Sequence, residues 1–155
     1  MRNVIAFLER LLSAVLIVIF TVMVLAIIWQ VFARYVLLSP TVWSEELARY
    51  SMVWTTMLGS ALVLRRSEHV AVTVFVDILP QPLQIAIACL RDVIVVVMGG
   101  YIAYFGFEFA LRGQVRLASG IGVPMSYAYF ALPVGGALIA LFVVANRLMD
   151  KGRVA

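Results

Sequence analysis

The chain has one cysteine and one histidine among its 155 residues. The lone cysteine, Cys89, cannot form an internal disulfide, a redox-active cysteine pair or a thiolate cage for a metal. The lone histidine, His69, excludes a haem held by two histidines of this chain and a histidine-rich metal site. Most redox functions are thereby excluded, and we expect no cofactor or metal in this chain.

Charge is also scarce, since only 13% of the residues are charged while 65% are hydrophobic, and the mean hydropathy is +1.07. Soluble domains are about half apolar and about a quarter charged, so this composition indicates an integral membrane protein. The net charge of +4 does not indicate nucleic-acid binding, because the basic residues lie in short segments between apolar runs. Such an excess is typical of membrane topology signals, and the expected surroundings are the lipid bilayer.

The apolar runs predict an all-α protein with four transmembrane helices and no domain boundary within residues 1–155. The predicted spans cover residues 11–33, 41–64, 83–111 and 124–146. Residues 1–10 are predicted to form a short interfacial lead-in to the first span, and the first apolar run is too long for a signal peptide. A polar stripe at every fourth residue predicts a further amphipathic helix over residues 68–79, on the cytoplasmic surface.

The distribution of basic residues predicts that both chain ends are cytoplasmic. With four spans and an inner N-terminus, seven Lys and Arg residues fall on the inner side and four on the outer side, with Arg91 set aside near the inner interface. The inner residues are Arg2, Arg10, Arg65, Arg66, Arg147, Lys151 and Arg153, and the outer ones are Arg34, Arg49, Arg112 and Arg116.

The second span opens with two acids and a base, Glu45, Glu46 and Arg49. Acids this close to a membrane-spanning run are costly unless they have a partner or a purpose. Arg49 is one helical turn from both acids and is predicted to serve both, which leaves one negative charge for Arg34 across the first loop. Three interpretations stay open: an internal charge cluster that holds helix 1 against helix 2, a contact with a partner protein, or a site for a coupling ion or proton.

Three aromatic residues lie along one flank of the second span. Trp43 suits an interfacial aromatic belt, whereas Trp54 lies too deep for a belt and is predicted to pack against another helix. For Tyr50 and the other two, core packing is favoured over a ligand-binding role. A second flank with Ser51, Thr55 and Gly59 is small enough for close helix approach.

The third span carries a stripe of small residues at intervals of three and four, which predicts a close contact with another helix. Its members are Gly99, Ala103, Gly106 and Ala110. Near the end of this span, Glu108 and Arg112 are one turn apart and predict an ion pair. In the last span, Pro133 predicts a kink or loosened turn in mid-helix, because proline removes one backbone donor.

Catalytic patterns are lacking in the sequence. Glu68 and His69 are neighbours, but adjacent helical positions diverge and no third group orients the pair. We therefore expect that the protein is not an enzyme.

Several of these residues together resemble the small membrane subunit of tripartite ATP-independent periplasmic (TRAP) transporters. The resemblance rests on the run Trp43-Ser44-Glu45-Glu46, followed by Arg49-Tyr50, Trp54, Gly59, Arg65 and His69. Pro124 and the run Ala131-Leu132-Pro133-Val134-Gly135 are similar to the last-helix pattern of that family. The resemblance covers almost the whole chain.

The resemblance implies a subunit of a three-part importer in the bacterial inner membrane. In such systems a periplasmic substrate-binding protein delivers an organic acid, such as a C4-dicarboxylate or sialic acid, and a large multi-spanning subunit carries it with sodium. The small subunit is thought to brace the large one and to help dock the binding protein. Sodium is then expected in the large subunit, and the small-residue and aromatic flanks of this chain become its packing surface. The outer loops near residues 34–40 and 112–122 become candidates for contact with the binding protein.

Two alternatives remain on sequence grounds. One is a stand-alone four-helix proton-coupled exporter, which needs an acid within a span, although residues 11–33 contain none. The other is the membrane anchor of a quinone-linked enzyme, which would have only one histidine and one cysteine to use.

Overall fold

The computed structural model describes residues 2–66 and 80–151, and within them the chain is almost entirely helical. The main helices are α1 (Arg2–Tyr35), α2 (Val42–Arg66) and α3 (Gln81–Arg112), followed by a single 3-10 turn (Gly113–Val115). A short helix, α4 (Ser126–Tyr129), then precedes α5 (Ala131–Lys151). The amphipathic helix predicted for residues 68–79 lies outside the described residues.

Three helical segments are long and apolar enough to cross a membrane: Ile5–Tyr35, Leu83–Val115 and Ser126–Leu148. The first two of these segments contain the first and third predicted spans, and the last overlaps the fourth, which is predicted to start at residue 124. The second predicted span is a helix as expected, α2, but its charged head and its serine and threonine residues make it less apolar than the other three.

Two boundaries differ from the sequence predictions. Helix α1 begins at Arg2 instead of at the predicted residue 11, since no glycine or proline interrupts the chain before Tyr35. The interfacial position of residues 1–10 stays a prediction. The mid-helix kink predicted at Pro133 is displaced, since the chain leaves the helix at Phe130, between α4 and α5. Pro133 therefore lies in the first turn of α5, where its missing N–H removes the donor for a carbonyl of the preceding turn.

The helices form an open row in the order α1, α2, α5, α3. Helix α2 packs against α1 on one side and against α5 on the other, and α5 also packs against α3. The buried apolar residues are mostly alanines, among them Ala33, Ala61, Ala110 and Ala131, and Phe142 is the largest fully buried side chain. Small side chains allow the helix axes to approach closely.

A close approach joins α3 to α5 through facing glycines. A Cβ atom added to Gly99 would lie 2.9 Å from the Gly136 carbonyl oxygen, and one added to Gly136 would lie 2.7 Å from the Gly99 carbonyl oxygen. Further along α3, a Cβ on Gly106 would meet the Leu132 Cβ at 2.8 Å. The close contact predicted for the Gly99, Ala103, Gly106 and Ala110 stripe is confirmed. Its partner is α5, so this flank is not available to another subunit.

Other predicted contacts are also confirmed. Glu108 and Arg112 form an ion pair. The Gly59 flank faces α1, where an added Cβ would lie 3.5 Å from Leu16 Cδ1.

The glycine contact predicts a difference between two neighbouring substitutions. Gly99→Ala places a methyl group against the backbone of α5, and we expect a loss of about 1–3 kcal/mol, as for other overpacked positions. Gly100→Ala meets no atom within 4 Å and should be neutral or slightly stabilising, because alanine favours a helix over glycine by about 1 kcal/mol. Thermal unfolding of the two purified variants in the same detergent measures the difference. A melting temperature for Gly99→Ala equal to that of Gly100→Ala would contradict the close packing.

Candidate functional site

The head of α2 is fixed by a local hydrogen-bonded turn. The Ser44 hydroxyl is fully buried; it donates to the Thr41 carbonyl at 3.0 Å and lies 2.7 Å from the Thr41 hydroxyl oxygen. Hydroxyl side chains before or within the first turn commonly satisfy the free polar groups of a helix start. This turn sets the direction in which the following acids point.

Glu45 and Arg49 form one ion pair on the surface of α2, with 2.9 Å between Arg49 Nη2 and Glu45 Oε1. Both side chains are at least half exposed. An exposed pair one helical turn apart contributes only about 0.3–0.5 kcal/mol. The pairing of Glu45 with Arg49 is therefore confirmed, but it contributes little to the stability of the fold.

Glu46 forms a contact that the sequence did not predict. Its Oε2 accepts hydrogen bonds from the backbone N–H groups of Gly120 and Ile121, both at 2.9 Å. The expectation that Glu46 shares Arg49, or that Arg34 neutralises it, is wrong in the structure. Consecutive N–H groups in a tight turn form a concave anion site. Here this site binds the Glu46 carboxylate, which pairs with neither Arg49 nor Arg34.

The turn that binds Glu46 is the tip of a small hairpin formed by residues 116–125, which we call the outer hairpin. Ala118 N–H donates to the Val123 carbonyl and Met125 N–H donates to the Arg116 carbonyl, at 2.9 and 2.8 Å. Gly122 N–H closes the turn on the Ala118 carbonyl at 2.9 Å, and Gly122 has φ +68°, which favours glycine.

Gly120 allows the hairpin tip to touch the start of α2. A Cβ added to Gly120 would lie 2.8 Å from the Val42 carbonyl carbon and 3.0 Å from the Trp43 nitrogen. The absence of a side chain therefore lets the two backbones meet and puts the tip within hydrogen-bond distance of Glu46.

The aromatic flank of α2 supports the same region. Trp54 Nε1–H donates to the Tyr127 carbonyl at 3.0 Å, which joins α2 to α4. This agrees with the prediction that Trp54 packs against another helical segment. Trp43 is 44% exposed, whereas the Tyr50 hydroxyl is buried and has no hydrogen-bond partner among the described residues.

At the ends of the helices that lie away from the outer hairpin, there is a polar layer that sequence reasoning missed. The Arg65 guanidinium donates to the Asn146 side-chain carbonyl, and Arg65 also lies 3.8 Å from Glu9. Asp92 of α3 pairs with Arg91 at 2.8 Å and with Arg147 at 3.5 Å. Together these contacts involve α1, α2, α3 and α5. The available signal was Asn146, a polar residue in the last apolar turns of α5.

The arrangement is structural in character. The acids at the head of α2 are engaged by Arg49 and by the outer hairpin, and Asp92 is engaged by two arginines. Within residues 2–66 and 80–151, no three histidine, cysteine or acidic side chains come together in a group that could hold a metal ion. The geometry therefore suits the joining of helices and the support of a loop.

Comparison with known families decides the identity of this membrane protein. Residues 23–150 match the family described as the DctQ component of tripartite ATP-independent periplasmic transporters. The chain belongs to this family. It is thus a transporter component and not an enzyme, and it is a multi-pass protein of the inner membrane. Membership decides against the exporter and the quinone-linked anchor.

Individual relatives agree with this assignment. The chain is 34% identical over 108 residues to the sialic acid TRAP transporter small permease protein SiaQ of Vibrio cholerae, a match that covers 70% of this chain and 62% of that protein. It is 26% identical over 149 residues to a putative TRAP transporter small permease protein of Haemophilus influenzae, covering 94% of this chain and 91% of the relative. A third match is 28% identical over 108 residues to the sialic acid TRAP transporter permease protein SiaT of Haemophilus influenzae, covering 70% of this chain but 18% of SiaT.

The Glu46 contact predicts that the outer hairpin loosens when the carboxylate charge is removed. Glu46→Gln keeps the shape but replaces a charged acceptor with a neutral one, which weakens the hydrogen bonds by about 1–2 kcal/mol. Tryptic cleavage after Arg116 should then accelerate about 5- to 30-fold, because cleavage follows the population of the open hairpin. The rate is measured on the purified chain by mass spectrometry.

Glu45→Gln is the matched control, since Glu45 lies beside Glu46 but contacts Arg49 instead of the hairpin. It should leave cleavage after Arg116 unchanged. Equal cleavage rates in the two variants would show that the hairpin does not depend on Glu46.

Proposed function

We propose that this chain is the accessory membrane subunit of a sodium-coupled importer of organic acids. In this proposal it binds and braces a large multi-spanning transport subunit and helps to dock a periplasmic substrate-binding protein. Membership in the DctQ-component family carries the proposal. The match to 18% of the length of SiaT supports it, because a segment similar to this chain occurs there within a much longer permease.

The proposed substrate is a carboxylate. The names of the SiaQ and SiaT relatives refer to sialic acid, which makes sialic acid or a similar organic acid, such as a C4-dicarboxylate, the first candidate. We place substrate and sodium in the large subunit. The contacts of Glu46 and Asp92 support this placement, because backbone N–H groups bind the Glu46 carboxylate and Arg91 and Arg147 pair with Asp92.

We further propose that α2 is a fourth span and that both chain ends are cytoplasmic. Glu46 at the head of α2 contacts Gly120, so the α1–α2 loop and the outer hairpin share one side. Arg65 at the other end of α2 contacts Asn146 near the end of α5. Since α3 crosses the membrane and ends at the hairpin side, the chain must return to the other side before α3 begins, and α2 follows that path. The excess of basic residues at the Arg65 end favours the cytoplasm for that side.

The partner surfaces follow from the row of helices. Helices α1 and α3 stand at its two edges and expose most of their apolar side chains, so we propose that the large subunit covers one of these edges. The outer hairpin contacts the head of α2 through Glu46, and residues 34–40 lead directly into that head. We propose these two segments as the contact region for the binding protein.

Cysteine labelling tests the fourth span. In a Cys89→Ala background, Ser119→Cys at the exposed hairpin tip should react with a membrane-impermeant maleimide added outside intact spheroplasts, and a cysteine appended to the C-terminus should not. If α2 did not cross, the two reactivities would be exchanged. Permeabilised cells, in which both cysteines should react, provide the control.

Transport assays test the role. Deleting this chain should abolish uptake of the labelled carboxylate in cells that keep the other two components. Glu46→Gln or Arg49→Ala should lower uptake or co-purification with the large subunit while membrane insertion persists, with a larger effect for Glu46→Gln because it also releases the hairpin. Unchanged uptake after deletion of the chain, together with recovery of the tagged chain alone in mild detergent, would overturn the accessory role.

A further inference from the structure

A groove runs along the surface between α3 and α5, on the half of α3 that leads to the outer hairpin. It has a volume of about 530 Å³. Gly106 brings α3 against Leu132, so their contact forms the floor. Tyr101, Phe105 and Phe109 line it as exposed aromatic side chains. Within residues 2–66 and 80–151, the aromatic side chains of this groove stay exposed, so it is an apolar surface open to a ligand.

The length of the groove matches one leaflet of a bilayer. From Tyr101 to Arg112 the helix rises about 16 Å at 1.5 Å per residue. Half of a hydrocarbon core of about 30 Å is about 15 Å. An acyl chain that lies along the aromatic side chains would thus extend from the level of the head groups to the bilayer centre.

The mouth of the groove carries both signs of charge. Glu108 and Arg112 line its end and pair at 2.5 Å, with side chains that are 50% and 76% exposed. Arg112 is the last residue of α3, so the pair lies where a spanning helix meets the head groups. An exposed ion pair of this kind opens at little cost. The guanidinium N–H groups of Arg112 and the carboxylate of Glu108 are then available to a ligand.

We propose that this groove binds a phospholipid with a primary amine in its head group, the phosphatidylethanolamine class. The Arg112 guanidinium binds the phosphate through paired N–H donors. Glu108 accepts hydrogen bonds from the ammonium group, and the aromatic side chains hold an acyl chain. This arrangement selects between head groups: a choline offers no N–H to Glu108, and a glycerol head group offers no cation. The inference requires only that α3 crosses the membrane and does not depend on the proposed transport role.

Native mass spectrometry tests the proposal on the chain purified together with its large partner and stripped of lipid. Phosphatidylethanolamine, phosphatidylcholine and phosphatidylglycerol with the same acyl chains are added in turn. We expect phosphatidylethanolamine to bind at least fivefold more tightly than the other two. Arg112→Gln should reduce this binding about tenfold, and Glu108→Gln should remove the preference over phosphatidylcholine. Arg116→Gln is the matched control, since Arg116 is a nearby exposed arginine outside the groove, and it should bind as the wild type does.

Equal affinity for the three lipids, or full binding by Arg112→Gln, would overturn the proposal. A photo-reactive amino acid in place of Phe105 provides an independent measurement in the wild-type background, which does not depend on the folding of the charge variants. Adducts with the mass of phosphatidylethanolamine support the proposal. Cross-links to the large subunit instead would show that a protein surface occupies the groove and would overturn it.

Discussion

The structure depends on the seam between α2 and α5, because this seam joins the pair α1 and α2 to the pair α3 and α5. At one end, the Glu46 carboxylate binds two backbone N–H groups of the outer hairpin. At the other end, Arg65 and Asn146 are hydrogen-bonded side by side. Between them, Gly135 lies against Met57 so closely that an added Cβ would be 2.7 Å from the Met57 Cβ. In a membrane, apolar contact alone gives little preference for one helix neighbour over another, so polar contacts at both ends and a close fit in the middle define the seam.

The charges of the chain follow one constraint, which is that a charged group near hydrocarbon needs a partner. Glu46 meets it with backbone donors, and Asp92 meets it with Arg91 and Arg147. Because these partners lie inside the chain, the charged groups at the two ends of the helices hold the fold together. This explains why a sequence with conspicuous acids at a helix head has no evident ion pathway in its described residues.

Local chemistry was readable from the sequence. Hydropathy located the long helices, and spacing of one helical turn predicted the pairs of Glu45 with Arg49 and of Glu108 with Arg112, because such neighbours meet on any helix. The glycine stripe predicted a close helix contact for the same reason. Such predictions hold because they depend only on helical geometry.

The contacts that were missed are those between distant parts of the chain. Glu46 and Gly120 are separated by 74 positions, and no periodic pattern connects a carboxylate to backbone N–H groups so far away. The pairing of Arg65 with Asn146, 81 positions apart, is missed for the same reason. The break at Phe130 follows α4, whose Tyr127 carbonyl accepts a hydrogen bond from the distant Trp54, so the position of Pro133 alone did not locate it.

The order α1, α2, α5, α3 makes this chain a slab one helix thick. A compact bundle of four helices hides much of each helix from lipid, whereas a slab presents two broad faces and two edges. When such a slab is attached to a larger membrane protein, it adds many lipid contacts for little added mass, and it widens the body that would have to tilt through the bilayer. If this chain attaches to a large subunit as we propose, a broad extension of this shape resists tilting of the whole protein in the bilayer.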